Sequence, residues 1–184
     1  MLQRQVKIKT KDRVNRARRG FLGTAGAFAG WGIWPLRAHA FDAPAGKVIL
    51  TITGQLQHRN AGDAAAFDMA MLEQLPQTRV TTRTPWYPQP RKFTGVLVRD
   101  LLAAVGAQGS TVNAAALNDY RVEIPRDDLE RNGALLAYLL DDKPMAVRDK
   151  GPLAIIYPFD DKPELRTAVY YSRAIWQLRS LDLK

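Results

Sequence analysis

The chain of 184 residues contains no cysteine. That single absence removes disulfides, thiolate nucleophiles and cysteine-ligated metal sites together. Histidine is nearly as scarce, with only His39 and His58. A Ser-His-Asp triad beyond residue 40 would have to use His58, a polar residue beside Arg59 and Asn60 that reads as part of a loop. Carboxylates are present but badly spaced for a metal. Asp127-Asp128, Asp141-Asp142 and Asp160-Asp161 are adjacent pairs, whose side chains diverge in a strand and sit about 100° apart in a helix. None has the spacing of a calcium loop, so they read as solvated loop acids. No metal site and no catalytic set are expected.

Charge is unevenly spread. The chain carries 27 Lys and Arg against 18 Asp and Glu, a net of +9, which would ordinarily point to an acidic partner such as nucleic acid. Residues 1–40 hold nine basic residues and one acid, leaving 18 basic and 17 acidic residues in 41–184. The basicity therefore belongs to the first forty residues, and no nucleic-acid partner is expected. Those forty have the three parts of an export signal: a basic stretch, an apolar Gly- and Ala-rich segment over 21–36, and Ala38-His39-Ala40 as a small-x-small cleavage site. That segment of 16 residues falls short of the roughly 20 that span a bilayer. Arg18-Arg19-Gly20-Phe21-Leu22 resembles the twin-arginine export motif. The expectation is a twin-arginine-type signal over 1–40, cleavage near Ala40, and a periplasmic domain over 41–184.

That remainder is long enough for one domain with a core, and no repeat or long linker divides it. Residues 48–53 are β-branched-rich and stop at Gly54, predicting a strand. Apolar residues at 67, 71, 72 and 75 have helical spacing and end at Pro76. Residues 79–84 read as a strand that Pro85 closes, followed by a Pro-rich loop over 85–90. Val98, Leu101, Leu102 and Val105 share one helix face, with Gly106 at its end. Residues 120–124 alternate up to Pro125, and Asp127 and Asp128 suit a first helical turn. Residues 135–140 and 153–157 read as buried strands. A final strand carries Trp176 and Leu178 on one parity and Leu181 and Leu183 on the other, so a bulge near Ser180 would bury all four. Short strands mixed with short helices, without a βαβ rhythm, give an α+β fold.

Several separated motifs resemble one family. Phe93-Thr94-Gly95-Val96-Leu97 followed by Asp100-Leu101-Leu102 is similar to the aromatic-x-Gly-Val-x-Leu-x-Asp-Leu-Leu signature of sulfite-oxidase-type molybdopterin-binding domains. Asn118-Asp119-Tyr120 resembles that family's strand after the helix. Leu136-Ala137-Tyr138, Asp142-Lys143-Pro144-Met145, Gly151-Pro152-Leu153 and the Trp176 region resemble later landmarks, in the right order over roughly 47–183. Family enzymes hold molybdenum through a Cys thiolate before the Gly-Val signature, and soft thiolates suit that role. The corresponding stretch here, 81–84, offers hydroxyls and Arg83.

A pterin ring asks only for a plane to stack on and a few donors and acceptors at its edge. The resemblance implies a pterin site built from Arg83, Thr84, Trp86 and Tyr87, then Asn118, Asp119 and Tyr120, then Arg148 and Lys150, with Asp119 accepting from the pterin amino group. The missing Cys together with the export signal resembles a Cys-less branch of the family. Its members bind a reduced pterin of the tetrahydropterin type and control the periplasmic sensor domain of an inner-membrane diguanylate cyclase–phosphodiesterase, and hence cyclic di-GMP. Two other readings fit the same residues. One is a molybdopterin-dependent periplasmic oxidoreductase lacking the usual Cys ligand, and the other a structural subunit of an exported enzyme.

Overall fold

The computed structural model describes residues 42–184; the expected export signal and its cleavage point near Ala40 lie outside them. Ten strands form two sheets. The first runs in the order β2 (Ala65–Phe67), β1 (Leu50–Gly54), β10 (Leu178–Leu183), β5 (Thr111–Ala116), β6 (Arg121–Pro125). The second runs β3 (Gln77–Thr84), β4 (Tyr87–Leu97), β7 (Leu135–Leu140), β8 (Lys143–Pro144), with β9 (Ala154–Ile156) also pairing β7. Among the described residues only the β1–β10 pair is parallel. Short helices α1 (Met69–Gln74), α2 (Val98–Ala104), α3 (Arg126–Arg131) and α4 (Ala168–Arg173), with 3-10 turns at Val147–Asp149 and Pro163–Leu165, complete the described elements. The fold is α+β, as expected.

One main core joins both sheets. It takes Leu50 and Ile52 from β1, Val96 from β4, Leu136 and Tyr138 from β7, and Leu101 and Leu102 from α2. The alternate residues of β7 and β9, namely Leu135, Ala137, Ala154 and Ile156, form a second, smaller cluster with Phe93 and Met145. A strand covered on both faces reads as a continuous apolar run, which is why 135–140 shows no alternation. Gly95 of the signature motif sits where β4 and β7 shift register. A Cβ there would stand 1.9 Å from the Leu136 carbonyl oxygen, so the backbones meet only because the residue is glycine.

Four expectations are corrected. Phe67 ends β2 rather than opening the helix; Asp68 caps α1 by accepting from the Met71 N–H at 2.9 Å. The Pro-rich segment is mostly strand. β4 begins at Tyr87, a bulge opposite Thr82 and Thr84 absorbs the extra residues, and β7 pairs only from Phe93 onward, so the missing N–H groups of Pro88 and Pro90 cost no pairing there. Residues 118–120 form the turn between β5 and β6 rather than a strand, with Asp119 at φ 63°. Trp176 lies outside β10. It bridges Ala154 of β9, and Gln177, at φ 54°, turns the chain away into the first sheet. The bulge itself falls between Leu178 and Ser180 and leaves Leu178, Leu181 and Leu183 buried.

Candidate functional site: an aromatic cleft beside the β3–β4 turn

The turn Pro85-Trp86 is tight, since Thr84 already pairs with Tyr87 across it. Trp86 is thereby held edge-on to Trp176, with ring centroids 5.2 Å apart at 79°. Tyr87 and Phe93 meet the same Trp176 ring at 6.0 and 6.1 Å. Lys150, in a left-handed conformation at φ 73°, places its Nζ 5.8 Å from the Trp176 ring centre, and Arg91 sits 4.8 Å over Tyr87 while pairing with Asp141 at 2.5 Å. Edge-to-face aromatic pairs and cations over rings each contribute on the order of 0.5–1.5 kcal/mol, so this cluster is a rigid wall.

Two neighbouring clefts lie here, the first of them on that wall. One, of about 190 Å³, is bounded by Trp86, Trp176, Asn118, Tyr120 and Tyr171. The other, of about 340 Å³, is bounded by Arg83, Thr84, Phe159, Asp160, Arg166 and Tyr171. Tyr171 is common to both. In the second, Asp160 lies between two guanidinium groups, accepting from Arg166 Nη2 at 3.0 Å and standing 3.7 Å from Arg83 Nη1. It also accepts from the Arg83 backbone N–H at 3.1 Å. Two cations against one anion leave the lining net positive. Two lining residues carry buried polar atoms with no hydrogen-bond partner among the described residues, the Thr84 hydroxyl and Trp176 Nε1. A buried polar atom left unpaired costs roughly 1–3 kcal/mol.

The structure thus brings together Arg83, Thr84, Trp86, Asn118 and Tyr120 of the nine expected site residues, with Tyr87 and Lys150 behind them on the Trp176 ring. Tyr120 is tied in place by donating its hydroxyl hydrogen to the Ser172 carbonyl at 2.9 Å, and Asn118 Oδ1 accepts from the Tyr120 N–H at 3.2 Å. Asp119 points away from the cleft residues toward Arg179, at 3.4 Å. Arg148 is almost fully exposed beside Asp149. Sequence reasoning missed Arg166 and Tyr171 and took Trp176 for plain core. The Tyr170-Tyr171 pair was the available signal, a doublet of large amphipathic residues near the closing Trp. Beneath the site, α4 is fastened to α3. Asp128 accepts from Arg173 and, at 3.2 Å, from the Tyr170 hydroxyl. Desolvation, with Asp128 adding to it, raises the pKa of both Tyr170 and the deeply buried Tyr157.

Comparison with known proteins bears on the family and the fold. The model of the oxidoreductase molybdopterin binding domain family matches residues 47–159, more than half of the chain. The chain belongs to that family. No curated protein matches it. Among solved structures it is similar to the sulfane dehydrogenase SoxCD from Paracoccus pantotrophus, with a TM-score of 0.54 and 16% identity, over 73% of this chain and 37% of that one. That likeness shows a shared fold, and this chain spans little more than a third of the SoxCD chain's length.

Membership in the family implies a molybdopterin, and the residues here fit its two parts differently. A metal bound in the family manner needs a soft, readily ionised donor. The described residues contain no Cys and no cluster of three His, Asp or Glu able to hold an ion. At the end of β3, the Thr82 hydroxyl is already engaged on both sides, accepting from the Asp160 N–H at 3.0 Å and donating to the Arg83 carbonyl at 3.2 Å. Thr84 offers only a neutral hydroxyl. The donor set does not fit the metal. The organic ring fits better, because the cleft supplies aromatic side chains together with hydroxyl and amide groups.

Proposed function

We propose that this chain is a non-catalytic, periplasmic pterin-binding protein that controls a membrane-bound diguanylate cyclase–phosphodiesterase by protein contact. The observation that carries the proposal is a molybdopterin-fold cleft that keeps its aromatic and hydrogen-bonding walls while the sequence lacks any thiolate. A domain that has kept recognition groups without a metal donor is suited to sensing, since sensing requires binding and a contact that depends on it. The ligand is a reduced pterin of the tetrahydropterin type. Its ring lies against Trp86 and Trp176, and its polar substituent extends toward Arg83, Thr84 and Arg166. For ligand to change the partner's state, it must bind free protein and complex with different affinity.

Mass spectrometry of what co-purifies with the protein tests this reading. A stoichiometric reduced pterin supports it. A molybdenum-bearing molybdopterin, confirmed by elemental analysis at a metal-to-protein ratio near one, would overturn it in favour of the oxidoreductase that family membership makes the second reading. Protein that carries nothing and binds no added tetrahydropterin would leave the structural-subunit role.

A further inference from the structure

On the other side of the 117–120 turn lies a groove of about 410 Å³. Val48, Leu117 and Val147, three of the most exposed large apolar residues described, line it together at 45, 45 and 52% exposure. Pro152 and Ile49 extend the apolar lining, and the charged residues that line it, Lys47 and Arg179, are both cations. No carboxylate lines the groove. The one that reaches it from outside is Asp119, which meets Arg179 at 3.4 Å with its own side chain 81% exposed. Arg148, next to Val147, is spent largely on water and Asp149.

We propose that this groove is the surface on which an acidic, apolar segment of a partner protein docks. Three exposed aliphatic residues grouped in one concavity form the kind of patch that marks an interaction surface. Cations at the rim choose the sign of what comes in, and the Asp119–Arg179 contact shows how a carboxylate reaches that rim. The chain's own residues 1–40 are excluded as occupant by charge, with nine basic residues and one acid facing a basic rim. A second copy would bring the same two cations against themselves.

The groove and the aromatic cleft are joined through Gln177. Its N–H donates to the Lys150 carbonyl at 3.0 Å, its carbonyl accepts from the Leu117 N–H at 2.8 Å, and its side chain donates to the Val147 carbonyl at 2.7 Å. Leu117 and Val147 belong to the groove, Lys150 sits over Trp176, and Gln177 follows Trp176 directly. A shift of Trp176 on ligand binding therefore moves the backbone that carries two of the three exposed groove residues. This deepens the sensor reading and rests on it for the identity of the ligand.

The test places a photo-cross-linking residue at Val147 in the full chain expressed in its native host, with Gln108 as a control position. Cross-linked peptides are then sequenced by mass spectrometry. The expected product joins Val147 to another protein's segment in which Asp or Glu flank apolar residues. Its yield should fall about tenfold in a Lys47→Glu, Arg179→Glu background, with an unchanged melting temperature confirming the fold. Cross-links only to residues 1–40, only to a second copy, equally from Gln108, or to nothing would overturn the proposal. Tetrahydropterin titrated into the same proteins, followed by Trp fluorescence, keeps the two readings separate. No pterin binding with the acidic cross-link intact would remove the ligand reading alone, and pterin binding without the cross-link would remove the groove alone.

Discussion

The two faces of β7 differ in what they bury. The inner face sends Leu136 and Tyr138 into the main core, where Leu, Ile and Val from both sheets pack with Phe67, Tyr157 and Phe159. The outer face sends Leu135 and Ala137 into a small cluster whose rim is Tyr87, Trp176, Val80 and Leu140, all only partly buried. The inner cluster is the larger and holds the fold, with Trp86 and Tyr171 of the cleft packed against its margin. The outer face adjoins the aromatic wall where unpaired Trp176 Nε1 and the candidate cleft are found. The cleft thus draws Trp86 and Tyr171 from the margin of one cluster and Trp176 from the other, and four measurements can break or sharpen the difference between the two.

The largest effect is expected in the inner core. Leu136→Ala should lower folding free energy by about 2–5 kcal/mol in urea denaturation. Leu135→Ala should sit at or below the lower end of that range, because the partly exposed rim can close on the gap. Equal losses would mean that the two faces are not distinct.

Trp86→Ala is expected to do the reverse. It should weaken tetrahydropterin binding by about 1–3 kcal/mol, roughly 5- to 150-fold, by analogy with lost base stacking. Its cost in stability should be smaller than that of Leu136→Ala. Calorimetric titration of the folded variant decides, and wild-type affinity would place the ring elsewhere.

Next is a pair of isosteric changes on β3. Thr82→Val removes a hydroxyl with two hydrogen bonds to the Asp160 and Arg83 backbone and should destabilise by about 1–2 kcal/mol. Thr84→Val replaces an unpaired buried hydroxyl and should be neutral or stabilising by up to about 1 kcal/mol, while weakening the ligand if that hydroxyl serves it. Matching losses from both would show that Thr84 has a structural partner.

The smallest effect concerns acid. Backbone N–H groups of Met71, then Gly46, hold the Asp68 carboxyl below its ordinary value against the opposing effect of burial. A depressed folded pKa adds stability that is fully present above the unfolded value near 4 and is lost as pH falls through the folded value. Wild type should therefore lose stability relative to Asp68→Asn as pH falls below about 4. Parallel pH profiles for the two proteins would remove Asp68 from acid sensitivity.

Much of the frame was legible before any coordinates. The helix face of Val98, Leu101 and Leu102 and the buried run of β7 follow from spacing alone, and so does the bulge in β10 that lets Leu178, Leu181 and Leu183 all point inward. Strand β5 was not legible. Its sequence, TVNAAA, has weak strand preference, and it forms a strand because β10 and β6 pair with it on either side. The same holds for the prolines of β4, which look like a loop until a bulge and an unpaired stretch accommodate them. Of the candidate site, Trp86, Arg83 and Tyr120 were recognisable as polar-tipped or aromatic residues near turns. Arg166 and Tyr171 were not, because nothing local to 163–173 marks a residue as facing a cleft built by three other segments.

What the sequence determined by itself is the set of local choices: which residues alternate, where glycine lets β4 and β7 backbones touch, and that no thiolate exists to hold a metal. Those depend on side-chain size, backbone freedom and donor chemistry, all carried residue by residue. Only the tertiary structure decided that Trp86 meets Trp176, that Lys150 stands over the Trp176 ring, and that cleft and groove share the backbone of Gln177. Those contacts join residues 26 to 90 positions apart, through one bridge between Trp176 and Ala154 and one left-handed turn at Gln177. No periodicity records such a crossing, because its energy comes from packing between segments and appears only once both sheets are in place.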